Sequence, residues 1–294
     1  MNHNPVVERA AGAAVQSRGT KALVKVFSVL GLAAFFVLFF YPFWWMMVNS
    51  LNTAGQIFGR PALLPKAWAW YNYAEIFQVQ PFARHYANTL LVAVGGTAGN
   101  VLVASLSGYA FARLRFPGRN ALFVLLLTAL MMPIEVTIVP LYFQMRDVRL
   151  LDSLLPLALL TIFGAQGAFS AFMCRSFFVT IPKELEEAAR MDGLGYPGTF
   201  FQIMLPLAAP VLSSAAIMAF LAAWNTYLEP LVFISDIKNF TLPLSLNNFN
   251  DAYGAPQWHL QMAATTLSVL PIMIVYLFFQ EKVTDAMVNS GLKG

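Results

Sequence analysis

The chain has 294 residues, of which 59% are hydrophobic and 11% charged. A soluble domain carries about a quarter charged residues, and surface still dominates at this length, so the deficit excludes an ordinary water-soluble fold and points to a surface that faces lipid. The net charge of +4 comes from 18 basic and 14 acidic residues set in short segments between apolar runs, a pattern of membrane orientation and not of nucleic-acid binding.

In chain order, residues 1–25 are rich in small residues and carry Arg9, Arg18, Lys21 and Lys25, which reads as a flexible cytoplasmic tail. The apolar run 26–48 is long enough to cross a bilayer, which takes about 20 residues. Met46-Met47-Val48-Asn49-Ser50 has no small-x-small cleavage site, so the run is a retained first span and not a signal peptide. Further spans are predicted at 86–112, 121–143, 153–178, 207–235 and 260–280. The fold class is therefore all-α integral membrane, six transmembrane helices in one domain over 26–294 with a core at 86–280. Gly95-Gly96, Gly99 and Gly108 in the second span predict close helix contacts. Pro133 and Pro140 interrupt the third span and Pro271 the sixth, breaks that protein or a water-filled cavity can re-satisfy.

Charge orients the spans. With the N-terminus inside, Arg9, Arg18, Lys21, Lys25, Arg113, Arg115, Arg119, Arg175, Lys183, Arg190, Lys282 and Lys293 lie inside, and Arg60, Lys66, Arg84, Arg146, Arg149 and Lys238 outside. Twelve against six follows the positive-inside rule and puts both termini in the cytoplasm. The outer segment 49–84, with Trp68, Trp70, Tyr71 and Tyr73, reads as an interfacial aromatic belt or as a partner surface. The segment 236–259, with Asn247, Asn248, Asn250 and Trp258, leaves the same choice open. Cys174 is the single cysteine, which excludes an intrachain disulfide and a thiolate cluster. His3, His85 and His259 are too dispersed for a metal site. No Gly-x-x-x-x-Gly-Lys-Ser/Thr phosphate loop is present, so nothing in the sequence points to ATP hydrolysis by this chain.

The inner segment 180–206 carries more pattern than a connection requires. Thr180 is a candidate N-cap, with Pro182 in the first turn. Glu184, Glu186 and Glu187 crowd the positive end of the helix dipole and Arg190 lies toward the other end. Gly193 supplies a left-handed stop, and Leu185, Ala188 and Ala189 share one face at helical spacing. A second amphipathic stretch, 200–205, runs up to Pro206. Taken alone, this elbow is either a surface hairpin packed on its own helix ends or a docking element.

Glu187-Ala188-Ala189, three residues, Gly193, nine residues, Ile203, one residue and Leu205-Pro206 follow the spacing of the EAA signature. On it the chain resembles bacterial ABC importer permeases. Asn88-Thr89, Gly108-Tyr109-Ala110-Phe111-Ala112-Arg113 with Phe116-Pro117-Gly118, Met132-Pro133 with Pro140, Trp224-Asn225 with Pro230-Leu231, and Lys293-Gly294 are similar to the carbohydrate-uptake branch that includes maltose and glycerol-3-phosphate permeases. The chain departs from that pattern at Leu194, where many relatives have alanine, and in the tail, with Glu281, Asp285 and Asn289.

The resemblance implies a coupling helix seated in a cleft of a cytoplasmic ATPase. Glu187 would pair with the ATPase, Gly193 would turn the elbow, and Ala188, Ala189, Asp192, Ile203, Leu205 and Pro206 would complete the loop. It also implies a second homologous permease as heterodimer partner, two ATPase subunits that hold ATP and Mg, an extracytoplasmic solute-binding protein, and a bacterial inner membrane. No catalytic residue and no bound cofactor are expected on this chain. Glu135 in the third span and Glu229 in the fifth are costly in lipid, so each should face protein or water. Asn225, one turn before Glu229 on the expected helix, could join them in binding sugar hydroxyls, with Trp224 or Tyr227 stacking on a ring. The same residues could instead tie helices together. The alternatives in transport are a glycerol-3-phosphate or polyol importer and an ion-driven secondary transporter using Glu135 and Glu229.

Overall fold

The computed structural model describes residues 5–59, 62–251 and 253–291, so His3, Arg60 and the Lys293-Gly294 match lie outside the described residues. The elements are α1 (Pro5–Ser50), α2 (Asn72–Val79), α3 (Phe82–Arg113), α4 (Arg119–Met131), α5 (Ile134–Asp147), α6 (Leu155–Phe163), α7 (Ala165–Thr180), α8 (Glu184–Met191), α9 (Tyr196–Thr199), a π-turn (Phe200–Met204), α10 (Leu205–Leu207), α11 (Ala209–Asn225), α12 (Leu228–Phe233), α13 (Leu242–Leu246) and α14 (Trp258–Gly291). Among the described residues there is no strand, only an isolated bridge between Asn250 and Pro256.

Four stretches are long and apolar enough to cross a bilayer: Lys25–Ser50, Phe82–Arg113, Leu155–Thr180 and Trp258–Phe278. The expected third and fifth spans are bent pairs, Arg119–Met131 meeting Ile134–Asp147 at 106° and Tyr196–Leu207 meeting Ala209–Asn225 at 76°. Counting each pair as one span gives six. The first bend follows from Pro133, which lacks an N–H and pushes Met132 into extended backbone. Pro140 and Pro271, read as interruptions, lie inside α5 and α14 instead.

Two further expectations change. Residues 5–25 continue the helix of the first span and do not form a loose tail, because they are largely good helix formers such as Ala, Glu, Arg and Gln. The fifth span does not run on to 235: α11 stops at Asn225, Thr226 is extended, and α12 restarts at Leu228. Pro230 would clash with the Thr226 carbonyl in a continuous helix, and Thr226 instead turns its hydroxyl back to Ala222 O at 2.8 Å. Asn225 and Glu229 therefore do not share one helix face.

Helix α3 is the axis of the bundle, with α6, α7 and α11 packed around it. The glycines explain why. A Cβ on Gly108 would lie 2.6 Å from Cys174 Cβ and 2.8 Å from the Arg175 backbone nitrogen, so the two helices touch backbone to side-chain root. Gly96 and Gly99 meet Thr161 and Ile162 in the same way, whereas Gly95 faces open space. Cys174 is fully buried in this seam, as its packing role requires. Helix α1 leans on α14 and leaves most large side chains of 26–43 exposed, a face suited to lipid.

The bundle has two unlike ends. One, here the capped end, gathers the segments 51–81, 148–154 and 234–257. There the first turns of α3 hold the chain beyond α12. His85 Nε2 is 2.6 Å from Ile237 O, Asn88 Nδ2 donates to Lys238 O and Phe240 O at 2.9 and 3.0 Å, and Leu242 N donates to Thr89 Oγ1 at 2.7 Å. Asp152, at φ 60°, accepts from the backbone nitrogens of Asp236 and Ser235 at 2.8 and 3.1 Å, which hold its carboxyl below the usual carboxylate range. Nearby, Asn72 Nδ2 ties Ser50 O and Asn52 O, while Trp68, Trp70 and Tyr71 stay exposed. The other, the elbow end, carries 114–118 and 181–208.

Candidate functional site

The elbow begins where α7 ends. Thr180 is the last residue of α7, its hydroxyl donating to Phe177 O at 2.7 Å, so it does not cap α8 as expected. Ile181 is extended, as a residue before proline must be, and Lys183 occupies the N-cap position. The first turn of α8 holds Glu184, Glu186 and Glu187 and its last turn Arg190, the charge order that suits the helix dipole. Gly193 has φ +84°, and the two closing bonds, Gly193 N to Arg190 O at 3.0 Å and Leu194 N to Ala189 O at 2.9 Å, form a Schellman stop.

The helix has one buried and one open face. Glu186 and Ala189 turn inward. Leu185, Glu187, Ala188, Met191, Asp192 and Gly193 are exposed, Met191 at 88%. Leu185, Ala188 and Ala189 lie at i, i+3 and i+4 on α8, but only Ala189 is buried, so that arc straddles the border between the inward and the open face. Beyond the stop, Arg190 lies over the Tyr196 ring at 4.8 Å, and the chain climbs through α9 and the π-turn into α10. Phe200 and Met204 are buried, Ile203 and Leu205 half-buried and Pro206 exposed.

What the sequence did not single out is how the elbow is fastened. Arg113, the last residue of α3, places Nε 3.0 Å from Glu186 Oε1, with side chains only 5% and 9% exposed. The Nε–H points off that line, so this is an ion pair without a hydrogen bond. The same guanidinium donates through Nη2 to Ile181 O. One turn back on α3, Tyr109 packs its ring on Phe178 and Phe200 at 5.8 and 5.2 Å. A basic residue ending a long helix and an acidic one preceding the Glu-Ala-Ala triplet were the available signals.

The candidate pathway residues are scattered more widely. Glu135 is exposed in the first turn of α5, Glu229 is half-buried in α12, and α12 packs on α5, so their elements do meet. Asn225 and Tyr227 are exposed at the break between α11 and α12, Asn225 with its amide turned back to Leu221 O at 2.8 Å. Trp224 is enclosed: it stacks on Phe220 at 5.5 Å, meets Tyr86 edge-on at 5.8 Å and donates to Ser268 O at 3.2 Å. An open groove of about 490 Å³ between α4–α5 and α6–α7 is lined almost wholly by apolar groups such as Met132, Leu141, Leu160 and Phe163, a surface for helix or lipid and not for hydroxyls.

A glycine-seamed bundle with two bent spans and a structured polar elbow belongs to the class of membrane-embedded permeases. Residues 100–288 match the family described as binding-protein-dependent transport system inner membrane component. The chain is 33% identical over 279 residues to the inner membrane ABC transporter permease protein YcjP of Escherichia coli (strain K12), covering 93% of this chain and 98% of that one. It is 32% identical to the sn-glycerol-3-phosphate transport system permease protein UgpE of Yersinia pestis, at 93% and 98% coverage. It is 31% identical to the diacetylchitobiose uptake system permease protein NgcG of Streptomyces coelicolor, at 85% and 83% coverage. In fold it is similar to a bacterial ABC transporter involved in the import of the acidic polysaccharide alginate, with a TM-score of 0.78, 22% identity and coverage of 89% and 97%. The chain belongs to the binding-protein-dependent transport family: it is an inner-membrane ABC importer permease, a transport subunit and not an enzyme. That membership sets aside the ion-driven alternative.

Proposed function

We propose that this permease passes a neutral sugar or short oligosaccharide and is driven through residues 180–206 by a cytoplasmic ATPase. The observation that carries the reading is the two-faced α8, fixed to the bundle on one side and open on the other through Glu187, Ala188 and Met191. Met191, 88% exposed, and Leu185 stand on this open side beside Ala188 and Glu187, which leaves it accessible to a partner. In this reading Glu187 meets the ATPase, Ala188 lets it approach, Ala189 packs inward, and Asp192 and Gly193 close the turn that aims Ile203, Leu205 and Pro206 back to the bundle. The elbow end lies in the cytoplasm, consistent with the twelve-to-six basic bias.

A second homologous permease completes a heterodimer. Two ATPase subunits hold ATP and Mg, no cofactor sits on this chain, and a solute-binding protein delivers substrate at the capped end. Alternating access then follows from two packings that the ATPase state and the loaded binding protein favour unequally. Asn225 and Tyr227, exposed at a helix break, with Glu135 and Glu229 on touching elements, are the residues offered to a polar solute. Trp224 serves them as a wall. A neutral sugar is favoured over a phosphate because Arg175, inside α7, lies 4.0 Å over the Phe123 ring and is engaged there. The glycerol-3-phosphate alternative draws on the UgpE likeness.

The test uses the assembled importer in proteoliposomes. Glu187→Lys should lower ATP-driven uptake by about tenfold or more and reduce recovery of the ATPase with the permease. Normal uptake with normal recovery overturns the coupling assignment. For the substrate, the partner solute-binding protein should retain a neutral sugar in competition with glycerol 3-phosphate, and the opposite preference overturns the sugar assignment.

A further inference from the structure

We propose that Arg113 and Glu186 form the joint through which movement of α8 reaches the core of the permease, making both of them positioning residues for transport. The proposal rests on the reading of 180–206 as the ATPase-driven element. Four observations carry it. First, the pair is the only link between α3 and the buried face of α8 that the described side chains make through charge, at 3.0 Å and almost wholly out of solvent. Second, Arg113 holds both sides of the corner, Glu186 in α8 and the Ile181 carbonyl just beyond α7. A planar guanidinium can grip two acceptors at once, which a point-charge ammonium cannot do as well.

Third, the joint is incompletely bonded as it stands. Arg113 Nε and Glu186 Oε1 face each other without a hydrogen bond, and Tyr109 Oη, one turn back on α3, is buried with no partner among the described residues. Buried polar atoms held this way are costly, so a second arrangement of the joint that gave them partners would compete with this one. Fourth, the π-turn at Phe200–Met204 follows α9 directly and packs on Tyr109, so the far arm of the elbow has a soft turn where the near arm has a charge grip. A buried ion pair is a poor stabiliser of a fold but a good way to fix which surfaces meet. Because α3 runs unbroken over 32 residues, a shift at Arg113 is delivered along the whole axis of the bundle.

The experiment reads uptake per ATP hydrolysed in the complete importer, together with recovery of the ATPase on the permease. Glu186→Gln and Arg113→Gln should keep ATPase recovery while lowering uptake per ATP by about tenfold, within the usual range of coupling between sites. Exchanging the charges, Arg113→Glu with Glu186→Arg, restores the pair but not the bond to the Ile181 carbonyl, so it should recover part of the loss seen with Arg113→Glu alone, a rescue that mere packing damage would not show. If a glutamine variant fails to insert, Arg113→Lys keeps the buried charge compensated and should still lower uptake per ATP several-fold at normal recovery. Wild-type uptake per ATP in Arg113→Gln or Arg113→Lys overturns the joint, and so does an exchange variant that assembles but does no better than either single change. Glu187→Lys run alongside separates the two ideas. If it leaves recovery and uptake intact, the docking reading fails; if it acts as expected while the Arg113 variants are normal, the joint alone fails.

Discussion

At the capped end, α3 holds the chain beyond α12 with neutral side chains that each land on backbone: His85 at Ile237, Asn88 at Lys238 and Phe240, Thr89 at Leu242. At the elbow end, the same helix holds the chain beyond α7 with one guanidinium on one carboxylate and an aromatic contact of Tyr109 with Phe200. Several short neutral bonds, each worth about 1 kcal/mol and all needing one geometry, make a clamp that is lost together or not at all. An ion pair tolerates a change of angle because Coulomb attraction falls off slowly with distance. The comparison teaches that α3, about 48 Å long at 1.5 Å per residue, is a shaft fixed at one end and jointed at the other.

The largest expected effect bears on the shaft itself. Gly108→Val places a Cβ within 2.6 Å of Cys174 Cβ and 2.8 Å of backbone, where no flexible side-chain end can give way. Overpacking of about 3 kcal/mol or more should follow, seen as a lower Tm and poor recovery of the purified subunit, while Gly95→Val in the same helix should change little. Equal behaviour of the two would mean that α3 and α7 do not meet as closely as the seam requires. Next comes the clamp. Asn88→Ala leaves two carbonyls without their donor and should cost about 2 kcal/mol, with faster proteolysis within 236–257 and undisturbed ATPase recovery. If proteolysis instead rises around 181–208, the two ends are not independent and the contrast between them breaks.

Much of this was legible in the sequence because its causes are local. Apolar length gave the first, second, fourth and sixth spans, and Gly193 announced the left-handed stop of α8 without any tertiary information. The third and fifth spans show the limit. Pro133 and Pro140 look alike in sequence, yet only the first coincides with a 106° bend, because a proline inside a helix can be absorbed by its neighbours whereas one at a junction decides it. Thr180 looked like a cap and closes the preceding helix. The Arg113–Glu186 pair was out of reach because its members are 73 residues apart (186 − 113) and meet only through tertiary packing. Trp224 and Tyr227 read alike as aromatic candidates, and only packing separates the enclosed ring from the exposed one.

The smallest effect is the most specific for the elbow. Gly193 sits at φ +84° with no atom within 4 Å of where a Cβ would be, so a side chain there meets no clash and pays only for the left-handed backbone. That cost is about 1 kcal/mol for alanine, less for asparagine, which visits this region readily, and more for a β-branched residue. Uptake by the assembled importer should therefore fall in the order Gly193→Asn, Gly193→Ala, Gly193→Val, with the asparagine variant near wild type. This ranking separates a turn from a contact. If Gly193 served by letting a partner surface approach, asparagine would be worse than alanine, because it is larger. If the stop of α8 did not matter to transport, valine would be as good as glycine. Only a requirement for the backbone angle itself, the angle that aims the open face of α8 away from the bundle, puts asparagine first.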